Sequence, residues 1–145
     1  MIIQVVGLPC SGKTHYIKKI KSKYSFIKTV DIVHFPSPDR EAKCLNFINS
    51  TPDTDSLILL ESACGIQSIN CKVILVSTNA KKHKMYMKKR NCNYSNEDLS
   101  SIKDQIIPAN FTVYTYSAFE NLIRNILSGD DNVKRFLRDI RNSSF

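Results

Sequence analysis

Eight consecutive residues, Gly7, Leu8, Pro9, Cys10, Ser11, Gly12, Lys13 and Thr14, follow the pattern G-x-x-x-x-G-K-T. These residue types at this spacing suit one task, gripping a chain of phosphates. Glycine at 7 and 12 lets the backbone bend and approach an anion with no Cβ in the way. The loop amides and the first turn of a following helix then converge on one point, where the helix dipole adds to their pull. Lys13 supplies a mobile positive charge for the outer phosphate oxygens. The Thr14 hydroxyl is placed to ligate Mg2+, a cation that takes oxygen ligands and usually arrives with a nucleotide.

Such a loop works only where a strand delivers the chain and a helix receives it. Residues 2–6 are apolar and mostly β-branched, fit for a buried strand. After the loop, Tyr16, Ile17, Ile20 and Tyr24 recur at one-turn spacing and predict a helix over Lys13–Lys23. Further along, strand-like and helix-like segments alternate, which favours a parallel sheet covered on both faces. A second strand is expected over 26–33, ended by Pro36 and Pro38. Asp39 is then placed to cap a helix bearing Ala42, Leu45 and Ile48. Residues 57–60 and 73–76 are wholly apolar and read as central strands. A basic helix is expected over 80–91, another over Asn96–Gln105, and a fifth strand over 111–116. Helices over 118–127 and 131–141 would follow, broken at Gly129; Val133, Phe136, Leu137 and Ile140 make an apolar stripe on the last.

In an open parallel sheet, ligands bind beyond the carboxyl ends of the strands. The polar residues there are the ones to weigh. Glu61 follows the apolar run of strand three and is a candidate for holding Mg2+ with Thr14. Asp31, near the end of strand two, is the candidate general base toward an attacking hydroxyl. His34 and Arg40 are less specific candidates for contact with an acceptor. Ser77, Thr78 and Asn79 follow strand four, and Tyr116 and Ser117 follow strand five. Lys81, Lys82, His83, Lys84, Lys88, Lys89 and Arg90 form the densest positive run. Most such runs are solvated helix faces. Its place after strand four also suits a basic lid, at about 80–95, that closes over phosphates and excludes water. Arg90 is the best single residue in it for a bidentate phosphate contact, and Lys84 and Lys88 lie one turn apart. Arg135, Arg138 and Arg141 form a separate basic ridge.

The chain has 145 residues, enough for one domain with a proper core, and a formal charge of +8 that biases it toward polyanions. Charge alone does not choose between nucleotide and nucleic acid. No apolar run approaches the ~20 residues of a membrane span, and no secretory leader is expected at the N-terminus. Five cysteines without metal-type spacing suggest free thiols in a reducing, cytoplasmic compartment. Cys10 stands out because it lies inside the phosphate loop, where an oxidised thiol would block a nucleotide.

The motif at 7–14, Asp31, the L-I-L-L-E run at 57–61 and the basic segment at 81–90 together resemble the P-loop kinase superfamily. The resemblance is to the branch that includes nucleoside and nucleotide kinases and 5′-hydroxyl polynucleotide kinases. It covers most of the chain, and the first motif is its specific part. It implies a three-layer αβα sandwich with a five-stranded parallel sheet in order 2-3-1-4-5. It also implies ATP and Mg2+ as cofactors, Asp31 as base, and Lys13 and Arg90 in the transfer of the γ-phosphoryl group. The acceptor would be a nucleoside, nucleotide or nucleic-acid end. Four departures bear on the acceptor: Ile32, Val33 and His34 stand where an Arg is usual, strand three ends in Glu, the lid is mostly lysine, and the segment from Pro36 to Pro52 is short for a nucleotide-accepting subdomain. Two other readings stay open, a slow ATPase switch and a basic nucleic-acid-binding module. The Asn-Lys-x-Asp guanine motif is missing, which disfavours a GTPase.

Overall fold

The computed structural model describes residues 1–52, 56–68 and 71–128. The helix expected over 131–141, its apolar stripe, its arginine ridge and Gly129 lie outside the described residues.

Five parallel strands form one sheet in the order β2-β3-β1-β4-β5, as the resemblance implied. They are β1 (Ile2–Val6), β2 (Lys28–Asp31), β3 (Ile58–Glu61), β4 (Lys72–Val76) and β5 (Phe111–Val113). The helices among the described residues are α1 (Lys13–Lys23), α2 (Arg40–Ser50), α3 (Ala80–Lys89), α4 (Asn96–Gln105) and α5 (Tyr116–Ser128).

β1 lies at the centre, and both of its faces are covered. Its side chains alternate, as a pleated strand requires. Ile3 and Val5 pack with Ile17 and Ile20 of α1 and with Phe119, Ile123 and Leu127 of α5. Ile2 packs with Ile58, Leu60 and Ile66 against Cys44 and Ile48 of α2. Each buried aliphatic side chain contributes about 1.5–3 kcal/mol of hydrophobic stabilisation. The one polar residue of β1, Gln4, is fully buried yet satisfied: its amide donates to Ile66 O and accepts from Ile66 N, both at 2.7 Å. That pair fixes the chain leaving β3, so the strand that carries the phosphate loop and the strand that carries Glu61 are locked in register.

Several boundaries differ from the sequence expectation, each for a local reason. β2 stops at Asp31 rather than 33, because the Asp31 carboxylate accepts the Val33 amide and starts a 3-10 turn over Ile32–His34. β5 stops at Val113, because Thr115 Oγ1 captures the Ala118 amide and begins α5 at Tyr116. Asp39 does precede α2, but its left-handed backbone (φ 65°) leaves its carboxylate without a capping bond. An effective cap needs an extended backbone. The inward face of α2 is Cys44 and Ile48, with Leu45 partly buried, while Ala42 is exposed. α3 ends two residues short of 91, at Lys89.

Candidate active site

The turn between β1 and α1 is built from the residues upward. Gly7 has φ +155°, and a Cβ there would lie 2.5 Å from Val76 O of β4. Only glycine permits that approach. Its amide bonds to Ala63 O at 3.0 Å, which ties the loop to the chain after β3. Gly12, at φ +105°, is the N-cap of α1 and offers no side-chain cap. The first-turn amides of α1 therefore face the loop with no intrahelical partner. Ser11 is 4% exposed, and its Oγ is a buried side-chain oxygen without a hydrogen-bond partner among the described residues.

Lys13 is 8% exposed. Its ammonium donates to the carbonyls of Gly7 and Leu8, the latter at 3.0 Å. Burial pushes its pKa down to about 8, against an opposing pull from the charges of Glu61, Cys10, Asp31 and Cys64. Thr14 Oγ1 donates to Glu61 Oε2 at 2.8 Å. Glu61 is the last residue of β3, one position later in the strand than expected, and pairs in register with Val5 on one side and Asp31 on the other. With its proton directed to Glu61, the Thr14 hydroxyl keeps lone pairs for a cation. Hydroxyl and carboxylate oxygens are the donors Mg2+ takes, so these residues fit it. Among the described residues no group of three or more His, Cys, Asp or Glu side chains could cage a metal. An ion there would be shared with phosphate oxygens, the usual arrangement for Mg2+.

A cleft of about 540 Å³ opens beside this turn. That volume suits a nucleotide-sized ligand. One wall is residues 9–16; Glu61 stands at one side, and Tyr86, Lys89, Arg90, Cys92 and Tyr94 form the facing wall. The structure thus brings Lys13, Thr14, Glu61 and Arg90 together. Asp31 does not line the cleft: its Oδ1 accepts from Val33 N at 3.0 Å, and its amide is bonded to His34 Nδ1 at 3.3 Å. Arg40 Nε donates to Phe35 O at 2.8 Å. Lys81, Lys82, Lys84 and Lys88 are exposed and stand outside the cleft lining, so the expected partnership of Lys84 with Lys88 does not reach it. Asn79 caps α3 through Lys82 N, and Tyr116 packs against Tyr16 and Phe119 near the core.

One residue inside the basic run departs from its neighbours. His83 is 7% exposed, and its Nε2 lies 2.7 Å from Pro9 O. The α3 helix is therefore seated on the crest of the phosphate loop. The sequence held a signal for this: His83, Tyr86 and Met87 recur at three- and four-residue spacing and make a buried to half-buried stripe through the exposed lysines. Charge density hid it. Tyr94 was missed for a different reason: it lies beyond that helix and reaches the cleft only through the fold.

No protein-family model matches the chain, and no curated protein matches it. Solved structures do. An uncharacterized protein from Eubacterium ventriosum ATCC 27560 is 12% identical, with 90% of this chain and 99% of that chain covered and a TM-score of 0.61. The shikimate kinase from Acinetobacter baumannii, solved with shikimate, is 15% identical over 90% of this chain and 94% of that one, with a TM-score of 0.58. A sugar kinase from Janibacter sp. HTCC2649 is 15% identical over 88% and 92%, with a TM-score of 0.55. At such identities the likeness is one of fold: the chain shares its α/β arrangement with these structures.

Proposed function

We propose that the protein is an ATP- and Mg2+-dependent phosphotransferase. It moves the γ-phosphoryl group to a nucleoside, a nucleotide or the 5′-hydroxyl end of a nucleic acid. The observation that carries this reading is the 2.8 Å pairing of Thr14 with Glu61 beside the buried Lys13 ammonium. Two oxygen donors next to one buried cation match the needs of a metal-bridged triphosphate. The fold shared with a shikimate kinase and a sugar kinase supports phosphoryl transfer as the reaction class.

In this reading the backbone amides of Leu8, Cys10 and Gly12 and of the α1 first turn cradle the phosphates, while Gly7 and Ser11, whose amides are held by Ala63 O and Leu8 O, shape the bend with Pro9. Lys13 leaves the Gly7 and Leu8 carbonyls for phosphate oxygens, a stronger charge-assisted partner. Thr14 and Glu61 hold Mg2+, which when bound neutralises charge on the phosphate oxygens. Arg90 and Lys89 face the loop across the cleft and stabilise the charge on the group in transfer. Asp31, at the end of the adjacent strand, takes the proton of the acceptor hydroxyl.

The test is transfer from γ-labelled ATP to a panel of nucleosides, nucleoside monophosphates and a 5′-hydroxyl oligonucleotide, with shikimate and hexoses beside them. Label should appear in one acceptor class and vanish when EDTA is added. Calorimetry that finds no binding of any nucleoside triphosphate with Mg2+ would overturn the reading. A second reading, a slow ATPase switch, draws on the engagement of Asp31 with Val33 outside the cleft lining. It predicts label in inorganic phosphate whichever acceptor is present.

A further inference from the structure

Cys10 and Cys92 are 82 residues apart in sequence, yet their sulfurs lie 3.4 Å apart. We propose that they form a covalent modification site: a reversible disulfide that ties the crest of the phosphate loop to the end of α3 and closes the cleft to nucleotide. The consequence for nucleotide rests on the function proposed above; the pairing of the two cysteines does not.

Both sulfurs are delivered by defined backbone geometry. Cys10 has a left-handed backbone, φ 63°, on the loop crest. At the other end, α3 terminates in a Schellman motif: Cys92 N bonds to Met87 O at 3.0 Å, Asn91 N to Lys88 O at 3.3 Å, and Asn91 is left-handed at φ 53°. Asparagine tolerates that conformation better than most residues. The motif folds Cys92 back over the end of its own helix and onto the loop. An independent contact holds the same two elements together, His83 on Pro9 O. Consecutive loop residues, Pro9 and Cys10, are thus gripped from the middle and the end of one helix. Little chain entropy remains to be lost on closing the bond.

Both cysteines are partly exposed and line the cleft, so a small oxidant reaches them. The Cys10 thiol donates toward Cys92 Sγ, which leaves Cys92 as the attacking sulfur. Burial raises the Cys10 pKa, and the contact with Cys92 raises it further, so Cys10 keeps the proton it donates. The oxidant is a hydroperoxide. The Cys92 sulfur attacks one peroxide oxygen as its thiol proton leaves, the O–O bond breaks, and the hydroxide released takes that proton to become water. Cys10 sulfur then attacks the Cys92 sulfenic acid. The S–O bond breaks, an S–S bond forms, and the Cys10 proton leaves with the second water. Two thiols and one hydrogen peroxide give one disulfide and two waters.

Closing the bond draws the sulfurs from 3.4 Å to about 2 Å. It also fixes the loop crest against the wall that carries Arg90, the mouth a triphosphate would use. The remaining cysteines serve as internal controls. Cys44 is fully buried, the Cys64 thiol faces Ile102 O at 3.8 Å, and Cys71 Sγ accepts from Gln4 Nε2 at 3.1 Å.

The experiment uses the full chain, reduced and then treated with hydrogen peroxide. Non-reducing peptide mass spectrometry should find the Cys10 and Cys92 peptides joined, with the titre of free thiols lower by two. Affinity for ATP with Mg2+ should fall at least about tenfold and return with dithiothreitol. Cys92→Ser should keep after peroxide the affinity it had before. A different cysteine pairing, or none, overturns the proposal. So does a Cys10–Cys92 crosslink that leaves affinity unchanged, or an affinity loss of equal size in Cys92→Ser. Reduced wild-type protein that fails to bind ATP overturns the function instead, and the crosslink then still decides the pairing.

Discussion

The two ends of the proposed site are built differently. On the phosphate side, the β1 turn gathers groups that an anion would satisfy better than the protein does: first-turn amides of α1, the buried Ser11 Oγ with no partner among the described residues, and a lysine cation held by two carbonyls at the cost of desolvation. On the acceptor side, beyond β2, every candidate is engaged by its own backbone. Asp31 caps Val33, His34 caps Asp31, and Arg40 holds Phe35 O. The first region is poised for an outside ligand, whereas the second spends its polar groups on its own turn. A phosphate can be gripped by contiguous backbone, so its site is complete within one turn of chain. An acceptor must be recognised by side chains from separate elements, and those have to be released from local bonds first.

Lys13→Met should produce the largest effect and the clearest contrast. ATP affinity should drop by on the order of 100-fold or more, since the cation meets the phosphates directly. Thermal stability should rise, because a buried ammonium whose pKa is pushed down is a net cost to the fold at neutral pH. Calorimetry and a melting curve on the same sample check both. Loss of affinity together with stability would mean that Lys13 serves the fold first. Such opposed signs are expected of a group kept for function.

The same lysine gives a pH signature. Its folded pKa is about 8 and its ordinary value 10.5. Between those values the unfolded chain holds more protons than the folded one. Stability of the ligand-free protein should therefore rise as pH climbs from about 8 toward 10.5. Phosphate oxygens favour the charged form, so ATP binding above pH 8 should take up a proton and weaken as pH rises. Calorimetry in buffers of different ionisation enthalpy measures the uptake. An unchanged heat across buffers would remove Lys13 from contact with the phosphates.

The sequence made the phosphate side legible because its determinants are local. Gly7, Gly12, Lys13 and Thr14 act at fixed offsets, and apolar runs at 57–60 and 73–76 announced the strands that flank β1. The sheet order came from resemblance, since periodicity says nothing about which strands are neighbours. What escaped was non-local. His83 faces Pro9 across 74 residues, and Cys92 faces Cys10 across 82. Neither contact leaves a mark in its own window except a faint inward stripe. The boundary errors at β2 and β5 share one cause: a single side chain, Asp31 or Thr115, diverted the backbone from strand to helix.

His83→Ala tests whether α3 belongs to the phosphate side. Removing the ring leaves Pro9 O without its partner and opens the seat of the helix on the loop. A buried hydrogen bond is worth about 1 kcal/mol net, so ATP affinity should weaken by roughly 3- to 10-fold. Lys84→Ala, on the exposed face of the same helix, should change affinity less than twofold at moderate salt. Equal effects from the two variants would mean that general basicity of α3, not its docking, supports the nucleotide.

Asp31→Asn should change ATP affinity least, and its value lies in what it separates. The asparagine Oδ1 can still accept the Val33 amide, so the 3-10 turn over Ile32–His34 should persist. Only the ability to take a proton is lost. If Asp31 leaves its cap to serve the acceptor, transfer should slow by on the order of 100-fold while ATP affinity stays within twofold of wild type. If the carboxylate is a cap and nothing more, both quantities should be unchanged, whereas Asp31→Ala should lower the melting temperature through loss of the turn. The pair of variants therefore distinguishes a base from a brace. A brace would leave the acceptor side without a proton acceptor and shift the balance toward the ATPase switch.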